Sequence, residues 1–179
     1  MCIRDRFRRS DEEIDEAFAE LTELWDALIA VRPDMKNQPS SMRVHDDELE
    51  GEDSALFWPI TQKILAEIAR RLMDDYENKT PEEALQPLAD LEMSLHAAPW
   101  RNLVLVPSDA TAPWKMRNED RKPAMNVLNR IIQWQLGLVP GDDELMNELR
   151  MDWDEYVYGG LSKDEKDDLW DQILEGRIA

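Results

Sequence analysis

The chain has almost no cysteine and no long apolar run. Cys2 is the single cysteine among 179 residues, which excludes an internal disulfide and a cysteine-ligated zinc cluster. No apolar run approaches the roughly 18 residues that a membrane-spanning helix needs. The arginines between positions 4 and 9 are not followed by the apolar segment of a signal peptide. The sequence therefore predicts a cytoplasmic protein with no membrane partner.

The usual signatures of catalysis and of cofactor binding are also missing from the sequence. It has no phosphate-binding glycine loop and no Ser/His/Asp pattern. The spacing around His45, in the acid-rich stretch VHDDELEGED, matches neither a calcium loop nor a His-Glu-x-x-His helix. The sequence suggests no nucleophile or acid partner for His96. We expect no catalytic residue, no metal ligand and no cofactor, and an enzyme that uses either histidine is the least favoured alternative.

Positive charge is scarce in comparison with negative charge. Forty acidic residues oppose 21 basic ones, so the net charge is -19. This charge repels phosphate, and we expect no direct tight binding of nucleic acid. A solvated surface, mimicry of nucleic acid and a basic partner are all compatible with it. The final segment, 142–179, holds thirteen acidic and four basic residues, which we interpret as solvated helix surfaces.

Most of the chain has the pattern of amphipathic helices. Capping boxes at Ser10–Glu13, Thr80–Glu83 and Ser162–Glu165 predict three helix starts. Apolar residues recur at helical spacing after Pro59, between 121 and 136, and after Asp142. Pro87 removes a backbone donor and should kink or split the helix that begins near Pro81. The sequence predicts a mainly α protein, an irregular orthogonal helical domain.

The first predicted helix, over residues 10–32, has a continuous apolar stripe. An isolated helix of this length is marginal in water, so the stripe needs a partner surface. We expect that surface to be residues 57–136, reached through an exposed loop at 33–54, in a single domain over 10–179. The alternative is that a missing N-terminal region covers the stripe, in which case the stripe is exposed here and the chain self-associates. The stripe, called the α1 stripe below, consists of Ile14, Phe18, Leu21, Trp25 and Leu28.

The stretch RNLVLVPSDATA interrupts the helical pattern between Pro99-Trp100 and Pro113-Trp114. Its apolar residues predict one short extended insertion near 102–106. From 100 to 122 there are five basic and three acidic residues, and aromatics interleaved with cations can bind a single strand of nucleic acid or a phosphate. The preferred interpretation is structural, with both tryptophans buried against the helices. The candidate interaction patch comprises Trp100, Arg101, Trp114, Lys115, Arg117 and Arg121.

Three stretches together resemble a known family. They are FWPITQKILAEIARRL at 57–72, LHAAPWRNLVLVP at 95–107 and WKMRNEDRKPAMNVLNRIIQWQLGL at 114–138. Their order resembles the C-terminal helical region of DGQHR-domain proteins, a group that includes regulators of bacterial DNA sulfur modification. The Asp-Gly-Gln-His-Arg motif is absent from this chain, so the resemblance transfers no functional residue.

The resemblance implies a non-catalytic helical accessory region of a protein linked to DNA modification or phage defence. It also implies an N-terminal truncation, because the family places an α/β portion before this region. The opening MCIRDR resembles a translated sequencing-adapter scar of metagenomic reading frames, so we expect residues 1–9 to be disordered or artefactual. The expected partner is the missing N-terminal domain or another protein. The alternative is a free-standing acidic interaction module, either a DNA mimic or an antagonist of a basic partner.

Overall fold

The structure is a computed structural model that describes residues 10–37, 54–75, 79–108 and 114–178. It is mainly helical, as the sequence predicts. The strands β1 (Leu105–Pro107) and β2 (Trp114–Met116) form an antiparallel pair. Short 3-10 segments occupy Ala55–Phe57 and Gln86–Asp90. The α-helices are α1 (Asp11–Val31), α2 (Asp34–Asn37), α3 (Pro59–Asp75), α4 (Pro81–Leu85), α5 (Arg121–Gln135), α6 (Asp143–Tyr156) and α7 (Lys163–Glu175).

Each predicted capping box is present and begins a helix. At α1 the Glu13 amide donates to Ser10 Oγ at 3.2 Å, and the Ser10 amide donates to the Glu13 carboxylate at 2.7 Å. The same reciprocal pair occurs at Thr80 and Ser162. At α6 the carboxylate of Asp142 accepts from the amide of Leu145 at 2.9 Å. Each capping box thus satisfies two amides at the start of its helix, and Asp142 satisfies one at the start of α6.

Pro87 splits its helix as predicted. The α-helical segment α4 ends at Leu85, and the chain continues as a 3-10 helix over Gln86–Asp90. After α5, Gly137 has a φ of 71°, a left-handed conformation that glycine adopts without steric cost. Pro87 thus limits the length of α4, and Gly137 lets the chain change direction after α5.

The hydrophobic core is centred on α5. This helix packs against α3, α6 and α7. Leu128, Ile131 and Ile132 are fully buried. The helix is therefore covered on several sides, and eight of its fifteen residues are buried.

Both ends of the expected loop at 33–54 are structured, which corrects that expectation. Residues Asp34–Asn37 form α2. Ser54 is buried and forms an isolated bridge with Ser94, and the Ala55 amide donates to the Met93 carbonyl at 2.7 Å. This pairing was not predictable from local patterns, because Ser54 and Ser94 lie far outside the window of roughly 11–18 residues over which periodicity is read. Residues 38–53 and 1–9 lie outside the described part of the chain.

The extended insertion is present and overlaps the predicted range, but it begins three residues later, at Leu105. Asn102 has a φ of 64° and begins a turn, so the backbone becomes extended only at Leu105. The Asn102 amide donates to the Leu105 carbonyl at 2.7 Å, which closes the turn. A second strand, which the sequence did not predict, pairs with the first in the register Leu105↔Met116, Val106↔Lys115 and Pro107↔Trp114.

Candidate functional site

Trp100 is a structural residue and is fully buried. Its indole Nε1 donates to the carbonyl of Glu92 at 2.7 Å, and its own carbonyl accepts from the amide of Val104 at 2.9 Å. The ring therefore anchors the turn to the segment before it. This burial confirms the structural interpretation and removes Trp100 from any surface patch.

Arg101 and Trp114 are in direct contact. The guanidinium carbon of Arg101 lies 5.2 Å from the ring centroid of Trp114, within range of a cation–π interaction. His96 meets the same ring edge-on, with the centroids 5.9 Å apart. Trp114 packs against the margin of the core and is half-buried rather than largely buried as predicted. Arg101 thus occupies one of the two aromatic faces on which a nucleobase could stack.

Lys115 and Arg117 lie around a different feature, a shallow cavity of about 260 Å³ beside β2. Arg117 Nε donates to the carbonyl of Leu103 at 2.8 Å. Burial lowers the pKa of Arg117 below its ordinary value, while the nearby carboxylates of Asp120 and Glu119 oppose that shift. The guanidinium is thus engaged by the backbone and balanced by acids, which weakens the cavity as an anion site.

Arg121 lies in the first turn of α5, away from the preceding residues. It lines a groove of about 290 Å³ between α3 and α5 together with Lys63, Lys122 and Asn126. The structure therefore distributes the predicted patch over three places and brings only Arg101 and Trp114 into contact. The six residues therefore do not form one continuous surface, since Trp100 is buried and the four cations lie in three separate places.

The acids of the C-terminal helices are partly neutralised by arginines. Arg130 contacts Asp152 and, at 3.2 Å, Glu148. Arg150 donates to Asp167 at 2.8 Å. Its guanidinium also lies over two indole rings, 4.9 Å from the centroid of Trp153 and 5.1 Å from that of Trp170. These arginines connect α6 to α5 and α7, which is a structural role.

The α1 stripe is only half covered. Residues 57–136 cover one end of it, as expected, and leave the other end exposed, which corrects the expectation that they cover the whole stripe. Leu28 is 3% exposed at the end where α1 packs against α4 and α3. Ile14, Phe18 and Leu21 are 51%, 70% and 49% exposed. Five large hydrophobic side chains among the described residues are exposed, and three of them lie here. We call Ile14, Phe18 and Leu21 the exposed face of α1.

A groove between α1 and α3 adjoins the exposed face of α1. It has a volume of about 680 Å³, and Leu21 belongs to both features. Ala17 and Leu24 continue its apolar surface on α1, and Ala66 and Met73 supply the opposite wall on α3. We call it the α1–α3 groove. Sequence reasoning found the stripe but assigned it to the core; the signal it passed over is the concentration of acids around it.

The negative charge of α1 is not balanced by basic residues of the same helix. Between residues 11 and 31 there are eight acidic residues and no basic one. Within the described part of the chain, the hydrogen bonds of these carboxylates are confined to the pair between Glu13 and Ser10. Arg130 and Arg150 contact acids of α6 and α7 instead. Among the described residues, the exposed face of α1 is therefore surrounded by negative charge that no described basic side chain neutralises.

The histidines and acids form no metal centre in the region that can be described. Residues 10–37, 54–75, 79–108 and 114–178 contain no group of three or more His, Cys, Asp and Glu side chains that could hold a metal ion. His45 and the acids that follow it, up to Asp53, lie outside these ranges. The described helices include none that is both long and apolar enough to span a bilayer.

Comparison with known proteins identifies no relative. No protein-family model matches the chain, and neither a curated protein nor a solved structure matches it. The resemblance to DGQHR-domain proteins therefore stays a prediction.

Proposed function

We propose that this chain is a non-catalytic protein-interaction module that binds its partner through the exposed face of α1. The observation that supports this proposal is the unpartnered end of an otherwise packed helix. A phenylalanine that is 70% exposed between Ile14 and Leu21, which are about half exposed, costs solubility without adding to the core. Such a module can serve as an accessory region of a DNA-modification or defence protein, which is the role that the DGQHR resemblance implies.

The packing of α1 suits this role. Its capping box fixes the first turn, and Leu28 and Ala27 are buried at the other end. The exposed face is thus presented on a helix that is anchored at one end and correctly terminated at the other. A preorganised helix loses little conformational entropy on binding, which favours affinity.

A selection from a peptide library without any bias in charge tests this function. A displayed library of helical peptides of about 20 residues, with random residues on every face, is selected for binding to the chain. We expect binders that lose at least about tenfold in affinity to Phe18→Ser, because exposed aromatic anchors dominate interface energetics. Met151→Ser is the matched control, since Met151 is 72% exposed on α6.

Two results distinguish this function from non-specific adhesion. Binders that respond to Phe18→Ser and not to Met151→Ser place the interaction on α1. If no selected binder loses affinity to Phe18→Ser, although this variant melts like the parent, the proposal is rejected.

A further inference from the structure

The surface of α1 and the α1–α3 groove has the dimensions of a helix-binding site. Ile14, Phe18 and Leu21 follow one another at spacings of four and three residues, so they form a row about 10 Å long. Leu21 then leads into the groove, whose apolar walls come from two helices. An apolar ridge beside a groove is the arrangement into which a second helix packs.

An extended peptide is a poorer occupant than a helix. Peptides that bind as strands obtain affinity from main-chain hydrogen bonds to an open sheet edge. The backbone groups within α1 and α3 are already paired inside each helix, so this surface has no such edge to offer. Affinity must come from side-chain packing, which an amphipathic helix supplies at the matching spacing.

Charge selects among helical occupants. Asp15 precedes Phe18 by three residues, so the two side chains are neighbours on the helix. The lining of the groove includes the carboxylates of Glu20, Glu23 and Asp74 and the guanidinium of Arg70. Three negative groups against one positive group favour a cationic partner.

A second copy of the same chain does not satisfy this requirement. Two copies that joined through the exposed face of α1 would bring two helices with eight acids each into contact. The repulsion between them opposes a symmetric dimer. Nucleic acid is excluded by the same charge.

From these observations, and resting on the proposed function, we infer that the α1–α3 groove and the exposed face of α1 bind a basic amphipathic helix. Its apolar side packs on Ile14, Phe18 and Leu21 and enters the groove. Its lysines and arginines lie at the margins, opposite Asp15 and Glu20. The partner is thus a protein segment with an apolar stripe bordered by positive charge.

A pair of peptides tests the inference. Both have about 18 residues, near 27 Å as a helix, and the same leucine stripe at positions i, i+3, i+4 and i+7. One has lysine at the flanking positions and the other glutamate. We expect the lysine peptide to bind the full chain at least about tenfold more tightly in fluorescence anisotropy at physiological salt.

Charge variants of the chain locate the binding site. Asp15→Asn combined with Glu20→Gln should weaken binding of the lysine peptide roughly three- to tenfold, because two flanking charges are lost. Asp168→Asn combined with Asp171→Asn removes the same charge from the exposed surface of α7 and should have a much smaller effect. Arg70→Ala removes the groove cation and should tighten binding roughly two- to fivefold, a gain that misfolding cannot produce.

The outcomes separate this inference from the proposed function. If the glutamate peptide binds as well as the lysine peptide and still needs Phe18, the interaction function stands and the basic partner is wrong. If the lysine peptide loses affinity equally with the α7 control, or ignores Phe18→Ser, it binds by general charge attraction and the inference is overturned. Failure of both peptides, when library-selected binders depend on Phe18, also rejects the basic helix as occupant.

Discussion

The indole Nε1 of Trp100 donates a 2.7 Å hydrogen bond to the carbonyl of Glu92, eight residues earlier in the chain. The ring itself is fully buried. One side chain therefore fixes both the packing of the insertion and the path of the segment that enters it. Two residues after Trp100, Asn102 has a left-handed conformation, and its carbonyl accepts from the amide of Tyr158 at 2.8 Å.

Two substitutions at Trp100 separate packing from hydrogen bonding. Trp100→Ala should lower the free energy of unfolding by about 3–5 kcal/mol, because it removes a large buried ring. Trp100→Phe keeps most of the apolar volume but leaves the Glu92 carbonyl unpaired, and should cost about 1–3 kcal/mol. Urea denaturation measures both. Trp114→Ala, which removes a half-buried ring, should cost less than Trp100→Ala; an equal or larger cost contradicts the structural ranking.

Local signals made the helix starts predictable. A capping box needs only four residues in sequence, so Ser10, Thr80 and Ser162 could be assigned without knowledge of the tertiary fold. The split at Pro87 was predictable for the same reason, because the loss of a backbone donor is a property of that residue alone.

The arrangement of the insertion was not predictable from local patterns. The second strand exists because Val106 pairs with Lys115 across a connection of eight residues. Arg117 donates to the carbonyl of Leu103, which draws it away from Arg101 and toward the backbone. Proximity along the chain suggested one basic patch, whereas pairing between separate segments distributes its members.

The coverage of α1 was predictable in part. Periodicity shows that a stripe exists, but it does not give the length of the surface that covers it. α1 has 21 residues and α4, its principal contact, has five. At 1.5 Å per residue the shorter helix extends along only about a quarter of the longer one. The exposed half thus follows from tertiary packing.

The cap of α7 should contribute to stability in a pH-dependent manner. The Ser162 amide donates to the Glu165 carboxylate at 2.8 Å and the Ser162 hydroxyl does so at 2.7 Å. The amide first and then the hydroxyl lower the pKa of Glu165 below its ordinary value of about 4.5. A lowered folded-state pKa means that the carboxylate stabilises the fold above the unfolded-state value, and that this contribution disappears as the pH falls through the folded-state value.

The measurement is the urea midpoint of the wild type and of Glu165→Gln over a pH series. The wild type should be the more stable near neutral pH, and the difference should shrink toward acid pH. In a Ser162→Ala background the difference at neutral pH should be smaller, because one donor to the carboxylate is gone. A difference that stays constant into the acid range contradicts the role assigned to this hydrogen bond.

The chain should not bind duplex DNA tightly. Its net charge of -19 opposes contact with phosphates, and the cations of the predicted patch are separated from one another. Fluorescence anisotropy with a labelled duplex of about 20 base pairs at physiological salt should give no binding at micromolar concentrations. Micromolar or tighter binding that Arg101→Ala and Arg121→Ala abolish would show that the separated cations act together.

The two ends of the α1 stripe should respond differently to the same type of substitution. Leu28 is 3% exposed and Phe18 is 70% exposed, although they lie on one helix with the same periodicity. Leu28→Ala should reduce the free energy of unfolding by about 2–5 kcal/mol, since it empties a buried site. Phe18→Ala should change it by no more than about 0.5 kcal/mol, because the ring is already in water. Urea denaturation gives both values.

The exposed end of the α1 stripe should not cause self-association at physiological salt, because the acids of α1 repel a second copy. Sedimentation should therefore show a monomer. Raising the salt to about 1 M screens that repulsion, so any self-association should appear there first and should be absent from Phe18→Ser. A loss of stability in Phe18→Ala as large as that in Leu28→Ala would mean that the exposed end of the stripe is covered within the chain, and the binding surface proposed for α1 would have to be abandoned.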